Sequence, residues 1–133
     1  VIVLDASATI ELLLRTLSGR RIEERVFSPE ESLHAPHLID VEVAQVVRRY
    51  AAAGIITPRR GEDALQDLTD ISLIRYSHTV LLERIWQLRN NFTAYDAAYL
   101  ALAEALDAPL LTCDRKLASA TSHRARVEVL PSR

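Results

Sequence analysis

The chain has 133 residues, the size of one ordinary domain and too few for two, so residues 1–133 are read as a single unit. Hydrophobic residues make up 49% and charged residues 26%, which excludes a disordered or fibrous chain, and no apolar run nears the roughly 20 residues that span a bilayer. A net charge of −2 excludes a protein that coats nucleic acid by charge alone, and the lone Cys113 excludes an internal disulfide or a zinc cluster.

Val1–Leu4 is a short β-rich apolar run ending in Asp5, a buried strand. An aspartate that early interrupts any apolar signal region, so the sequence predicts a soluble, cytoplasmic chain with no membrane role. Ser7 is the predicted cap of the next helix, with Ile10, Leu13, Leu14 and Leu17 on its stripe. Ser18-Gly19 is expected to end or kink that helix, and a short helix is placed over Arg20–Val26. A strand follows at Leu33–Ala35, then a helix over His37–Ala53 with Ile39, Val43, Val46, Val47 and Tyr50 on one stripe. Pro58 opens another helix, running to about Asp70. A strand is predicted at Ser72–Arg75, helices at His78–Asn90 and Thr93–Leu106, and a strand at Pro109–Thr112. A short helix at Arg115–Ala120 and a strand at Val127–Leu130 close the chain.

Strands alternate with helices throughout. That order demands crossover connections, hence an α/β fold with a mainly parallel sheet of four or five strands between two helical layers. In such sheets ligands bind beyond the carboxyl ends of the strands. Asp5 and Asp114 both follow strands, and Asp96 lies in a first helical turn; Glu42 and Asp40 compete for a fourth place, and helical phase does not separate them. Carboxylates sharing a crevice repel one another, and a hard divalent cation such as Mg²⁺ or Mn²⁺ relieves the repulsion. Each acid also has a structural reading. Asp5 can cap its helix, Asp96 completes a capping box with Thr93, Asp114 can start the Arg115 helix, and Asp40 can oppose the helix dipole.

Three segments carry a resemblance. Val1-Ile2-Val3-Leu4-Asp5-Ala6-Ser7, Thr93 to Ala103 with Asp96 inside it, and Leu110-Leu111-Thr112-Cys113-Asp114-Arg115-Lys116-Leu117 together resemble PIN-domain proteins, in particular the VapC-type toxins of toxin–antitoxin pairs. The resemblance implies a three-layer PIN domain and a metal-dependent endoribonuclease. Its acidic quartet maps to Asp5, Glu42, Asp96 and Asp114, which favours Glu42 over Asp40, with Ser7 and Thr112 supporting the site. It also implies Mg²⁺ or Mn²⁺, hydrolysis by an activated water that leaves 5′-phosphate and 3′-hydroxyl ends, transfer RNA among the substrates, a VapB-type antitoxin as inhibitor, and a homodimer.

Arg115 and Lys116 are candidates for a phosphate contact because they directly follow Asp114. Arg48-Arg49 and Arg59-Arg60 read as solvated faces, and the four histidines show no ligand spacing. Cys113 is expected to pack as a small apolar residue, and Trp86 and Tyr50 as core. Two other functions fit less well. A non-catalytic module binding RNA or a protein partner would not need so complete a set of acids. A phosphoacceptor domain would need an acidic pair beside its strand-end aspartate, and the first strand offers Asp5 alone.

Overall fold

Five strands, β1 (Ile2–Leu4), β2 (Leu33–Pro36), β3 (Leu73–Tyr76), β4 (Leu110–Thr112) and β5 (Val127–Val129), form one sheet in a computed structural model that describes residues 1–119 and 122–131. The order is β3-β2-β1-β4-β5, and every neighbouring pair is parallel. The chain builds outward from β1 to β3, then returns to the other side of β1 for β4 and β5. The boundary between β1 and β4 is therefore the switch point where a crevice opens. Val3 pairs with Leu110 and Leu4 with Leu111, which brings Asp5 and Thr112 out side by side at the carboxyl end.

The helices are α1 (Ala6–Leu14), α2 (Leu17–Val26), α3 (Ile39–Ala52), α4 (Pro58–Asp70), α5 (Leu82–Gln87), α6 (Ala94–Leu106) and α7 (Lys116–Ser119). Helix α1 packs on α2, α3 and α4, whereas α6 packs across β1, β2 and β4 with α5 beside it. Ile2, Val3 and Leu4 are wholly buried, as a central parallel strand between two helical layers must be. Helix α6 is buried over the unbroken run Ala97–Ala103. Its alanines let it lie close on the sheet, and an all-round apolar helix needs cover on every side.

Several boundaries differ from expectation, each for a local reason. The cap of α1 is Asp5, not Ser7: its carboxylate accepts the Ala8 N–H at 2.9 Å. The break between the first two helices falls at Arg15, in the left-handed region at φ 56°, and not at Ser18-Gly19. Thr16 then caps α2 by accepting the Gly19 N–H at 3.0 Å, and Leu17 stands exposed rather than on the α1 stripe. Gly19 is helical because of packing: a Cβ there would lie 2.0 Å from the Glu11 carbonyl oxygen. Strand β2 runs through Pro36, so α3 starts at Ile39. The segment expected as one helix from His78 is a 3₁₀ turn (Thr79–Leu81) followed by the six-residue α5. Trp86 is not core: it is 66% exposed, with the Arg89 guanidinium 4.4 Å above its ring. Ala120, the expected end of α7, lies outside the described residues.

Candidate active site

Asp5 leaves β1 into the crevice and is 6% exposed. Its Oδ1 accepts from Ser7 Oγ at 2.7 Å and from the Ala8 N–H at 2.9 Å, and its Oδ2 accepts from Thr112 Oγ1. Each hydroxyl has one proton, and both are committed to Asp5. The 3.3 Å approach of Ser7 Oγ to Thr112 Oγ1 is then a contact of two acceptors, stitched from outside by Cys113 N–H to Ser7 and Asp114 N–H to Thr112, each at 2.9 Å. One lone pair on Asp5 Oδ2 is left for a ligand. The turn that positions Asp114 is thus built on the same hydroxyls that hold Asp5. Asp114 Oδ1 in turn accepts the Lys116 N–H at 3.0 Å, fixing the start of α7.

Two acids come from helices. Thr93 caps α6 by accepting the Asp96 N–H at 3.2 Å, which sets Asp96 in the first turn. Glu42, in the first turn of α3, accepts the Tyr99 hydroxyl on Oε1 at 2.6 Å. Tyr99 follows Asp96 by three positions, so both sit on one face of α6. Asp40 has a different role. Its carboxylate takes a two-pronged bond from Arg75 on β3, with Nε–Oδ2 and Nη2–Oδ1 both 2.8 Å. That pairing leaves Glu42 as the α3 acid at the crevice.

The electrostatics join the set. Burial pushes the Asp5 carboxyl up, the three donors pull it back, and the charge of Asp96 raises it again. Glu42 is raised by burial and by Asp96 and Asp5, against the pull of Tyr99. Asp96 is raised by burial and by Asp114, against Lys116 and Thr93. Tyr99 is itself pushed far above a phenol's usual value, first by burial and then by Glu42, so its proton stays in place to serve Glu42. The structure thus brings Asp5, Glu42, Asp96 and Asp114 into one mutually repelling field, with Lys116 at its edge.

This donor set fits a hard divalent cation. Every candidate ligand is an oxygen, and the uncompensated repulsion calls for positive charge. Among the described residues no three acid, histidine or cysteine side chains close into a ready cage.

Beside the acids opens a cleft of about 390 Å³, lined by Ile10, Val46 and Tyr50 and by Ser7, Cys113 and Asp114. Arg49, Arg115 and Glu11 also line it. Cys113 is half-buried there rather than packed away, and burial with the charges of Asp5 and Glu11 pushes its thiol up to about 11. Tyr50 and Arg49 are cleft residues as much as core and solvated face. The sequence reading missed Tyr99 and Glu11. The spacing of Tyr99 from Asp96 could have revealed the first, and an acid inside the apolar run Ile10–Leu14 the second. The histidines are structural or surface: His34 is held between Ser32 and Tyr76, both at 2.7 Å, and His78 accepts the Leu38 N–H.

The model of the PIN domain family matches residues 2–122. Ribonuclease VapC9 of Mycobacterium tuberculosis is 39% identical over 131 residues, covering 98% of this chain and 99% of that protein. Ribonuclease VapC1 of the same organism is 42% identical over 119 residues, covering 89% of each. Among solved structures, Mycobacterium tuberculosis VapC20, a sarcin-ricin loop cleaving toxin, superposes with a TM-score of 0.73 at 15% identity, over 98% of this chain and 100% of that one. VapBC2 from Rickettsia felis, bound to a DNA fragment from their promoter, superposes with a TM-score of 0.70 at 12% identity, over 97% and 98%.

Proposed function

The chain belongs to the PIN domain family, among its VapC ribonucleases, and from that premise we propose that it hydrolyses RNA phosphodiesters with a divalent cation held by Asp5, Glu42, Asp96 and Asp114. Membership makes it an endoribonuclease toxin. The observation that supports the chemistry is the convergence of those acids beyond the β1–β4 boundary, around a carboxylate locked by Ser7 and Thr112.

When bound, Mg²⁺ or Mn²⁺ supplies Lewis acidity, offsetting the carboxylates and making a water acidic enough to attack phosphorus near neutral pH. Asp5 offers the free lone pair of Oδ2 and cannot swing away, because three donors hold it. Asp96 offers its carboxylate from a helix turn pinned by Thr93. Glu42 has Oε1 engaged by Tyr99, which leaves Oε2 to take a proton from the attacking water. Arg115 and Lys116, exposed beside Asp114, meet the phosphate and steady its charge. In-line attack then leaves a 5′-phosphate and a 3′-hydroxyl.

The substrate class to test first is transfer RNA. A VapB-type antitoxin is the inhibitor, and a homodimer the assembly that antitoxin binds. Among the described residues no helix is long and apolar enough to cross a membrane, and the cytoplasm, where RNA is abundant, is the proposed place of action.

The experiment incubates the purified chain with total RNA and with transfer RNA, in Mg²⁺, Mn²⁺ or EDTA, beside Asp5→Asn and Asp96→Asn. Discrete fragments that need the metal and vanish in both variants are expected. Cleavage that persists in EDTA or in either variant would overturn the site. No cleavage together with no metal binding by calorimetry would make the chain a binding module.

A further inference from the structure

We propose that the cleft beside the acids is a nucleobase subsite in which Glu11 selects guanine next to the scissile phosphate. The proposal rests on the ribonuclease reading above. Ser7 and Asp114 line the cleft and Ser7 bonds Asp5 at 2.7 Å, so an occupant lies beside the acids. Its volume of about 390 Å³ falls in the roughly 300–1,000 Å³ range of small-ligand sites. Tyr50, with Ile10 and Val46, supplies the apolar and aromatic wall on which a base can lie. Arg49 and Arg115 are exposed at this cleft, and neither forms an ion pair with another described residue. They are placed to meet the phosphates flanking the base.

Glu11 gives the cleft its chemistry. The residue is 4% exposed, an unusual place for a carboxylate. Thr16 Oγ1 donates to Oε1 at 2.9 Å, while Oε2 has no donor among the described residues. Yet Oε2 is not sealed off: Ser122 Oγ is the one buried side-chain atom without a partner among them. Glu11 lines the cleft and its charge reaches Cys113 there, so Oε2 is the oxygen a cleft occupant would meet, and its unfilled lone pairs ask for N–H donors. Guanine alone presents two adjacent donors, N1–H and the 2-amino group, and both can converge on the free Oε2. Adenine and cytosine set a ring-nitrogen acceptor beside their amino group, and uracil flanks one N–H with carbonyls, so each brings a lone pair against Glu11. A site built around a hydrogen bond rejects a ligand that cannot make it far more strongly than a shape-only site does.

The test is binding without cleavage. Fluorescein-labelled pentauridylates carrying G, A, C or U at the centre are titrated into the full chain in EDTA. Repulsion from the metal-free acids acts on all four alike and leaves their ratio intact. The G oligomer is expected to bind roughly tenfold or more tightly than the others. Glu11→Gln keeps Oε1 as the acceptor for Thr16 and turns the free oxygen into an N–H donor, so guanine's paired donors lose their acceptor. The preference for G should be lost. A purely structural role would weaken all four equally. Arg49→Ala and Arg115→Ala should weaken all four together and flatten the salt dependence. Wild-type binding of the four within twofold, no binding at millimolar protein, or a G preference kept by folded Glu11→Gln each overturns the proposal. The wild-type ratios decide even if the variant does not fold. If the chain prefers G yet cuts no RNA with metal, the nuclease reading fails and the subsite stands.

Discussion

Asp5 is asked to be two things at once, a helix cap and a ligand. Burial and Asp96 raise it, burial raises Glu42 with Asp96 and Asp5 behind it, and burial with Asp114 raises Asp96. Folding therefore tightens proton binding at all three. Their contribution to stability is complete below the ordinary values of 3.8 and 4.5 and is lost as pH rises through the raised folded values. At pH 7 without metal, the charge on Asp5 opposes folding. Asp5→Asn keeps the size and an acceptor for Ala8, so it should abolish cleavage while raising Tm in EDTA at pH 7 by about 2 °C or more. The gap should narrow as pH falls toward 4. Thermal melts of both proteins across that range check it, and a variant less stable than wild type at pH 7 would contradict the reading. Tyr99→Phe tests the neighbouring acid. It leaves the ring in the core and removes only the proton that Glu42 accepts at 2.6 Å. Groups that orient a metal's ligands are worth about 10- to 100-fold in affinity or activity. Calorimetric Mn²⁺ affinity or kcat should fall by that much, with the circular dichroism spectrum unchanged.

At the scale of elements, the fold was legible wherever one local signal dominated. The buried run Ile2–Leu4, the proline at the start of α4 and the apolar stretch of α6 each announce themselves, and alternation of strand and helix then dictates a parallel sheet. Asp5 and Asp114 were legible for the same reason, since strand ends in such a sheet share a crevice. Glu42 was not separable from Asp40 by phase, because what removes Asp40 is Arg75, 35 residues away on β3. The junction of α1 and α2 misled for a different reason. Gly19 reads as a breaker, but it is small because the Glu11 carbonyl presses on it, and the real break is an unmarked arginine at φ 56°. Reading Ser18-Gly19 as the break hid Thr16 as a cap and Glu11 as its partner. Gly19→Ala tests this directly. A methyl 2.0 Å from a carbonyl oxygen cannot be accommodated by a side-chain shift, so α2 must move off α1. A loss of about 3 kcal/mol is expected from the urea midpoint, where a breaker glycine would instead gain from alanine. Thr93→Ala, which removes the cap that sets Asp96, should cost about 1 kcal/mol and weaken metal affinity as well.

For the whole molecule, a net charge of −2 conceals a separation. Acids crowd the crevice, and Arg49, Arg115 and Lys116 stand around it, Lys116 offsetting only part of the repulsion at Asp96. A polyanionic substrate meets cations at the rim and repulsion at the centre, so one cation bound at the centre changes both stability and substrate affinity. An ion that binds the folded chain stabilises it by RT ln(1 + [L]/Kd), about 2.7 kcal/mol at 100 times Kd, which for a chain this size is roughly 10 °C in Tm. Mg²⁺ should give that rise in the wild type and little in Asp5→Asn or Asp96→Asn, whose starting Tm is already higher. Sodium chloride at equal ionic strength separates a site from screening. Screening relieves the same repulsion without coordination, and at 0.1 M its reach is about 10 Å. A sodium chloride rise equal to that of Mg²⁺ would make the acids a charged surface rather than a site. A rise confined to the divalent ion, saturating with concentration and lost in both variants, is the outcome that the shared field of Asp5, Glu42, Asp96 and Asp114 requires.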